Sequence, residues 1–302
     1  MTLAVLVIHG IGEAREGYAD RLVQGVEATL GSALRSVLPA EEFPPMSGLL
    51  TWAPARWDQH VTVQQDALRR ALERDIPAVR FRGSWWRWWE PLLRRTLFGL
   101  RARVVPFVSD LLAYQRADAK ELIYRELDAA VSRLASRTAP TPTPLSVIAH
   151  SLGTVIASDY LWDRTHPNSP QRLSGLQLAN FFTLGSPMAF YALRYAGGVE
   201  AFDQPITMAW PGGCWVNCYH PDDPLATPLR RLNAAYEQAV LQDAEVRSGT
   251  LLKAHTSYWS DPAVHRIISH KLALDWLSQA HRLDADRLAR LREAYTRRLS
   301  IA

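Results

Sequence analysis

Cysteine is nearly absent: Cys214 and Cys218 are the only two in 302 residues. They lie four apart in one apolar run that reads as a strand, where such positions share a face but stand too far apart to bridge. A disulfide framework and a thiolate metal site are therefore excluded. Lysine is also scarce, with Lys120, Lys253 and Lys271 against 31 arginines. That skew is read as compositional bias. No apolar run reaches the roughly 20 residues that a membrane-spanning helix needs. No basic segment followed by an apolar one precedes the first strand, which starts almost at Met1, so cytoplasmic residence is the expectation. Repeats and long low-complexity tracts are missing. No recognised nucleic-acid-binding module accompanies the arginines, so no nucleic-acid partner is expected.

What is present is apolar residue, 48% of the chain by composition, enough for one sizeable core. Apolar runs alternate with helical stretches, the pattern of a mostly parallel sheet covered on both faces. Six strands are read: Thr2–Ile8, Gly48–Ala53, Leu145–Ala149, Leu178–Leu184, Cys214–His220 and Ala239–Val246. The segment Thr138 to Pro144, with proline at every second position from Pro140, reads as a stiff connector into the third strand. The sheet needs residues from both sides of it, so 1–302 is expected to be a single domain.

Ala149-His150-Ser151-Leu152-Gly153 follows the buried run Leu145–Ile148 and opens a helical stretch. A serine at the apex of such a strand–turn–helix is held above the sheet edge, and small residues two before and two after let strand and helix approach. Ser151 is thus a candidate nucleophile. His9-Gly10-Ile11-Gly12 follows the first strand, a loop able to aim a backbone N–H at a developing oxyanion. Ile11 and Leu152 are the candidate donors. The strand ending in Tyr219 runs into His220-Pro221-Asp222-Asp223-Pro224-Leu225-Ala226. A carboxylate there can orient an imidazole; Asp223 is preferred, with Asp222 as the competitor. Among nine histidines, only His255 completes the chain order Ser, Asp, His at the ends of successive strands. His9 and His150 are read as supporting their turns, His220 as a neighbour of the site, His265 and His270 as helical, and His60, His166 and His281 as surface.

With these motifs, Leu184-Gly185-Ser186-Pro187 and His255-Thr256-Ser257-Tyr258-Trp259, the chain resembles an α/β-hydrolase of the lipase/esterase type. The Ala-His-Ser-x-Gly form is similar to that of small bacterial lipases. The stretches His-Pro-x-Asp-Pro-x-Ala and His-x-x-Tyr-Trp also resemble DDHD-domain phospholipases, where the aspartate before the second proline carries the role. That is a further reason to prefer Asp223. The resemblance covers Thr2 to about Ala280, except between about Arg56 and Asp110. It implies a reduced α/β-hydrolase sheet of about six strands flanked by helices, lacking the two leading antiparallel strands. The activity it implies is that of a serine ester hydrolase working through an acyl-enzyme without metal or organic cofactor, on an acyl-ester or lipid substrate. The alternatives are a non-catalytic membrane- or protein-binding module on the same scaffold, or an acyltransferase or amidase using the same triad.

The unmatched stretch has its own character. Arg69 to Arg103 holds ten arginines against Glu73, Asp75 and Glu90, and within it comes Trp85-Trp86-Arg87-Trp88-Trp89. Clustered tryptophan and arginine suit a membrane–water interface. Residues 56–110 are therefore expected to form a helical lid or interface insertion. Trp85, Trp86, Trp88 and Trp89 are its candidate substrate-binding residues, and 80–103 a candidate for peripheral membrane contact. Residues 283–300 read as a basic amphipathic helix docked on the body. The sequence says nothing about oligomeric state.

Overall fold

The computed structural model describes residues 2–10, 14–60, 114, 116–138, 142–166, 172–194, 197–247, 254–279 and 285–301. Met1–Gly10, Arg15–Ala55 and Leu127–Ala302 form one compact unit; Ile11–Ala14 and Arg56–Glu126 form a second. In the second, the Asp58 carboxylate accepts the Ala14 N–H at 2.9 Å.

The first unit is built on six strands: β1 (Leu3–Ile8), β2 (Leu50–Ala55), β3 (Thr143–His150), β4 (Leu176–Leu184), β5 (Cys214–Tyr219) and β6 (Val240–Glu245). Every pairing is parallel, in the order β2-β1-β3-β4-β5-β6. Among the described residues the helices are α1 (Asp20–Arg35), α2 (Ala117–Arg137), α3 (Leu152–Thr165), the short α4 (Met188–Tyr191), α5 (Ala234–Ala239) and α6 (Ala254–Ser257), then α7 (Pro262–Gln279) and α8 (Ala285–Ile301). This is the reduced α/β-hydrolase-like sheet of six strands that the sequence predicts, parallel throughout rather than mostly so. From β1 the chain turns outward to β2, then returns to the other side of β1 to lay down β3. At such a reversal the connections diverge and leave a crevice beyond the C-terminal ends of the two central strands, here β1 and β3.

Strand β1 carries no polar residue, and β3 and β4 are mostly apolar, because both faces are covered. On one face Leu3, Val5, Val7, Phe182 and Val216 pack with Leu22, Val26 and Leu30 of α1 and Ile267, Ile268 and Leu272 of α7. Alternate residues on the other face, such as Leu6, Ile8, Val147 and Phe181, are equally buried. There Phe181 and Trp215 meet with ring centroids 4.9 Å apart. Helices α2 and α3 are tied by Asp128, whose carboxylate accepts the Arg164 fork at 2.9 and 2.8 Å and the Tyr160 hydroxyl at 2.9 Å. Helix α8 packs on α7 and sinks Tyr295 into the core.

Each strand's bounds differ from the sequence reading by one or two residues, and two of these shifts have a visible cause. Strand β2 lies two residues later, at Leu50–Ala55, because its register is set by pairing with β1, from Leu3↔Leu50 to Ile8↔Ala55. Thr143 and Pro144 belong to β3 rather than to the connector. Pairing with β1 begins only at Leu145, so Pro144 sits where β3 has β4 as its one partner. A strand's first residues tolerate a missing N–H. Residues 61–113, including Trp85, Trp86, Trp88 and Trp89, lie outside the described residues.

At mid-strand on β3 and β4, a polar cluster interrupts the apolar core. Asn180 donates to Ser146 Oγ at 2.9 Å and to Asp275 Oδ2 at 2.7 Å, and the other Asp275 oxygen takes the Lys271 ammonium, one turn back on α7. Both charges are buried, so neither can turn to water if its partner is lost. Asp275→Asn is expected to destabilise the fold by about 3 kcal/mol, read as a lowered midpoint in urea unfolding. An unchanged midpoint would mean that the Lys271 charge is solvated.

Candidate active site

Ser151 ends β3 and precedes α3 with φ 53° and ψ −132°, one of two non-glycine residues with positive φ among those described. Such a conformation costs on the order of 1–3 kcal/mol and persists only where its surroundings enforce it. Here the enforcement is visible. The Ser151 N–H donates to the Leu184 carbonyl at 2.9 Å, and its own carbonyl accepts the Thr154 N–H at 2.9 Å and the Thr154 hydroxyl at 2.7 Å. Thr154 Oγ1 also meets Ser186 Oγ at 2.8 Å, fixing the turn after β4 to the start of α3. Gly153 is required by proximity, since a Cβ there would lie 2.2 Å from the His9 carbonyl oxygen. A Cβ at Gly10 would similarly come within 2.5 Å of Ser151 Cβ. The ends of β1 and β3 thus converge on the serine.

The acid stands at the end of β5, two strands away, in a turn closed by the Asp223 N–H on the His220 carbonyl at 3.0 Å. Buried Asn217 and half-buried Asp243 brace this turn from below. Asp243 on β6 accepts from Asn217 Nδ2 at 2.7 Å and from the Leu229 and Arg230 N–H groups at 2.8 and 3.0 Å, and Asn217 also donates to the Thr227 carbonyl at 3.0 Å. The Asp223 carboxylate faces inward and is 2% exposed, whereas Asp222 points to solvent. His255, on α6, lies between acid and serine. Its Nδ1 is 2.8 and 3.0 Å from the two Asp223 oxygens, and its Nε2 is 2.7 Å from Ser151 Oγ. An ionised carboxylate only accepts, so Nδ1 carries the proton and Nε2 is left as the acceptor of the serine hydroxyl.

Electrostatics support that arrangement. Burial alone would raise the Asp223 carboxyl, but the bond from His255 and its positive charge when protonated outweigh it. The Leu225 N–H and Tyr258 hydroxyl add to them and hold the carboxyl below the ordinary aspartate range. His150 is pushed down to about 3, first by burial and then by the charge of neighbouring His255. It therefore stays neutral and donates Nε2–H to the His255 carbonyl at 2.6 Å. Its ring also stands 5.0 Å from His255, 5.8 Å from Tyr258 and 5.3 Å from Trp259, centroid to centroid.

Ser151, His255 and Asp223 are thus brought together, and Leu152, at the first position of α3, has one of the N–H groups that a helix start leaves without an intrahelical partner. Ile11 lies outside the described residues. His265 and His270 sit on α7, His166 is exposed beside Trp162, and His9 donates Nδ1–H to the Gly10 carbonyl at 2.8 Å. His150 holds the loop of the base rather than only its own turn. Tyr258 was not singled out from the sequence. The signals present were its place in the His-x-x-Tyr-Trp motif and its spacing three residues after His255, which brings both to one side of a helical turn. Among the described residues, no group of His, Cys, Asp or Glu is placed to hold a metal ion, and no helix is long and apolar enough to cross a membrane.

A family model described as "Putative serine esterase (DUF676)" matches residues 121–198. That span carries β3, the Ser151 turn, α3 and β4, and the match points to a hydrolase of the serine-esterase kind. Comparison with curated proteins gives no match.

The buried neutral His150 makes stability depend on pH. Its folded pKa is depressed, so its contribution is complete above the unfolded value of about 6.5 and is lost as pH falls toward about 3. The loss is roughly 1 kcal/mol per pH unit across that window. Urea unfolding at pH 7 and pH 4.5 is expected to show a smaller acid loss in His150→Gln than in the unaltered protein. Equal losses in both would contradict the burial account.

Proposed function

We propose that the protein is a serine ester hydrolase in which Ser151 is the nucleophile, His255 the general base and Asp223 the orienting acid. The observation that carries this reading is the unbroken hydrogen-bond line from Asp223 through His255 to Ser151 Oγ, ending on a serine held in a strained turn. In the first step the Ser151 hydroxyl gives its proton to His255 Nε2 as Oγ attacks the ester carbonyl carbon. Asp223 fixes the tautomer and stabilises the imidazolium without taking its proton. The tetrahedral oxyanion is held by the Leu152 N–H and, in this reading, by that of Ile11. Collapse expels the alcohol, which takes the proton from His255, and leaves an acyl-enzyme. Water then attacks with the same base and releases the acid.

An acyl-chain substrate is favoured by exposed apolar side chains on the segment that follows β4. Helix α4 packs against α3, and on and just beyond it Phe190 is 49% and Leu193 68% exposed, three residues apart. Large apolar side chains on that segment suit a lipophilic acyl group better than a charged one. The tryptophans Trp85, Trp86, Trp88 and Trp89, with the arginines around them, are the proposed contact for a lipid aggregate or membrane surface.

Covalent labelling by a fluorophosphonate tests the reading. The intact protein is expected to gain one phosphonyl adduct on Ser151 and to hydrolyse p-nitrophenyl acyl esters with an initial burst. Ser151→Ala should take no label. Asp223→Asn should keep the fold and lose on the order of 10⁴ in kcat. An intact protein that takes no label would leave a hydrolase scaffold without turnover.

A further inference from the structure

The loop bearing the base carries a second group aimed at the acid. Tyr258 follows α6 in a single 3-10 turn, and its side chain is buried. Its hydroxyl donates to Asp223 Oδ2 at 2.9 Å and accepts the His220 N–H at 2.8 Å. Oδ2 is also the oxygen closer to His255 Nδ1. The other oxygen, Oδ1, takes the Leu225 N–H at 3.1 Å. The carboxylate therefore has an anchor on each oxygen besides the imidazole, and one of these anchors belongs to the same loop as the base. We infer that Tyr258 is a positioning residue of the proposed hydrolase, setting the rotation of the Asp223 carboxylate and the share of its charge that reaches His255.

The inference rests on the serine-hydrolase reading. A structural role alone would need only the aromatic ring, which already packs among His150, Gly185 and the core. The hydroxyl would then need one partner, the His220 N–H. Instead it spans two: the backbone at the end of β5 and the carboxylate that serves the base. Burial and then the Asp223 charge both push the phenol upward, so the group stays a donor at every working pH.

The sign of its effect follows from charge. A donated proton on Oδ2 draws off part of the negative charge that stabilises protonated His255. Without it the imidazolium is favoured more, and the acidic limb of the reactivity profile moves to higher pH. The carboxylate also loses one of its two anchors, so the plateau rate falls. Other titratable groups near this pair are His150 at the end of β3, His220 and Cys218 on β5 and its turn, and His9 beyond His150. None of them is altered by the substitution.

The test is the second-order rate of fluorophosphonate labelling measured from pH 5 to 9 in the full chain, which reports the free enzyme. Tyr258→Phe is expected to lower the plateau by on the order of tenfold and to move the acidic limb up by about half a pH unit. Replacing Tyr258 with 3-fluorotyrosine keeps the shape and strengthens the donor, so the limb should move down; this arm stands even if Tyr258→Phe does not fold. Labelling of the unaltered protein together with unshifted limbs in both variants overturns the positioning role and leaves the hydrolase reading intact. Shifts of the opposite sign also overturn it. No labelling of the unaltered protein overturns the hydrolase reading, and the inference with it.

Discussion

The 2.8 Å hydrogen bond between His255 Nδ1 and Asp223 Oδ2 is the interaction on which the site depends. It spans two loops, one after β5 and one after β6, that the Tyr258 hydroxyl also ties together. It also selects the tautomer that leaves Nε2 facing Ser151 Oγ at 2.7 Å. Remove it and the imidazole has a rotatable χ2 and no preferred proton position. The serine would remain strained in its turn, with its only acceptor undirected.

The fold makes that bond possible by sending all six strands in one direction. Their C-terminal ends lie on one edge, so the turn after β1, Ser151 after β3, Asp223 after β5 and His255 after β6 share a rim. Side chains below the rim give it stiffness. Asn217 and Asp243 brace the acid turn, and Thr154 with Ser186 braces the serine turn. His150 holds the main chain of the base loop. Asn217, Thr154, Ser186 and His150 are buried and hydrogen-bonded, so they resist displacement in a way that a solvated loop contact would not.

Much of this was legible in the sequence because it is local. The continuous apolar runs Leu3–Ile8 and Leu145–Ile148 mark strands covered on both faces, and the small residues flanking Ser151 mark a tight strand-to-helix turn. Gly153 shows why: its missing Cβ is the space that the His9 carbonyl occupies. The preference for Asp223 over Asp222 was reinforced by the resemblance to DDHD-domain phospholipases, and the structure turns Asp223 inward and Asp222 to solvent. What the sequence could not display were bonds between distant residues. His150 to the His255 carbonyl spans 105 positions and Tyr258 to Asp223 spans 35, and neither pairing leaves a periodic or compositional trace. Pro144 misled for a related reason. Proline spacing suggests a connector, but the register of β3 against β1 begins one residue later and tolerates it.

The most direct measurement of the account is proton NMR of the protein in water, with His255 labelled by ¹⁵N on its ring. A hydrogen-bonded Nδ1–H shielded from solvent should give a resonance far downfield of the amide envelope. The account predicts that this signal is present in the unaltered protein, survives Ser151→Ala, and disappears in Asp223→Asn. A spectrum without it, or one in which it survives the loss of the Asp223 charge, would contradict the bond between acid and base.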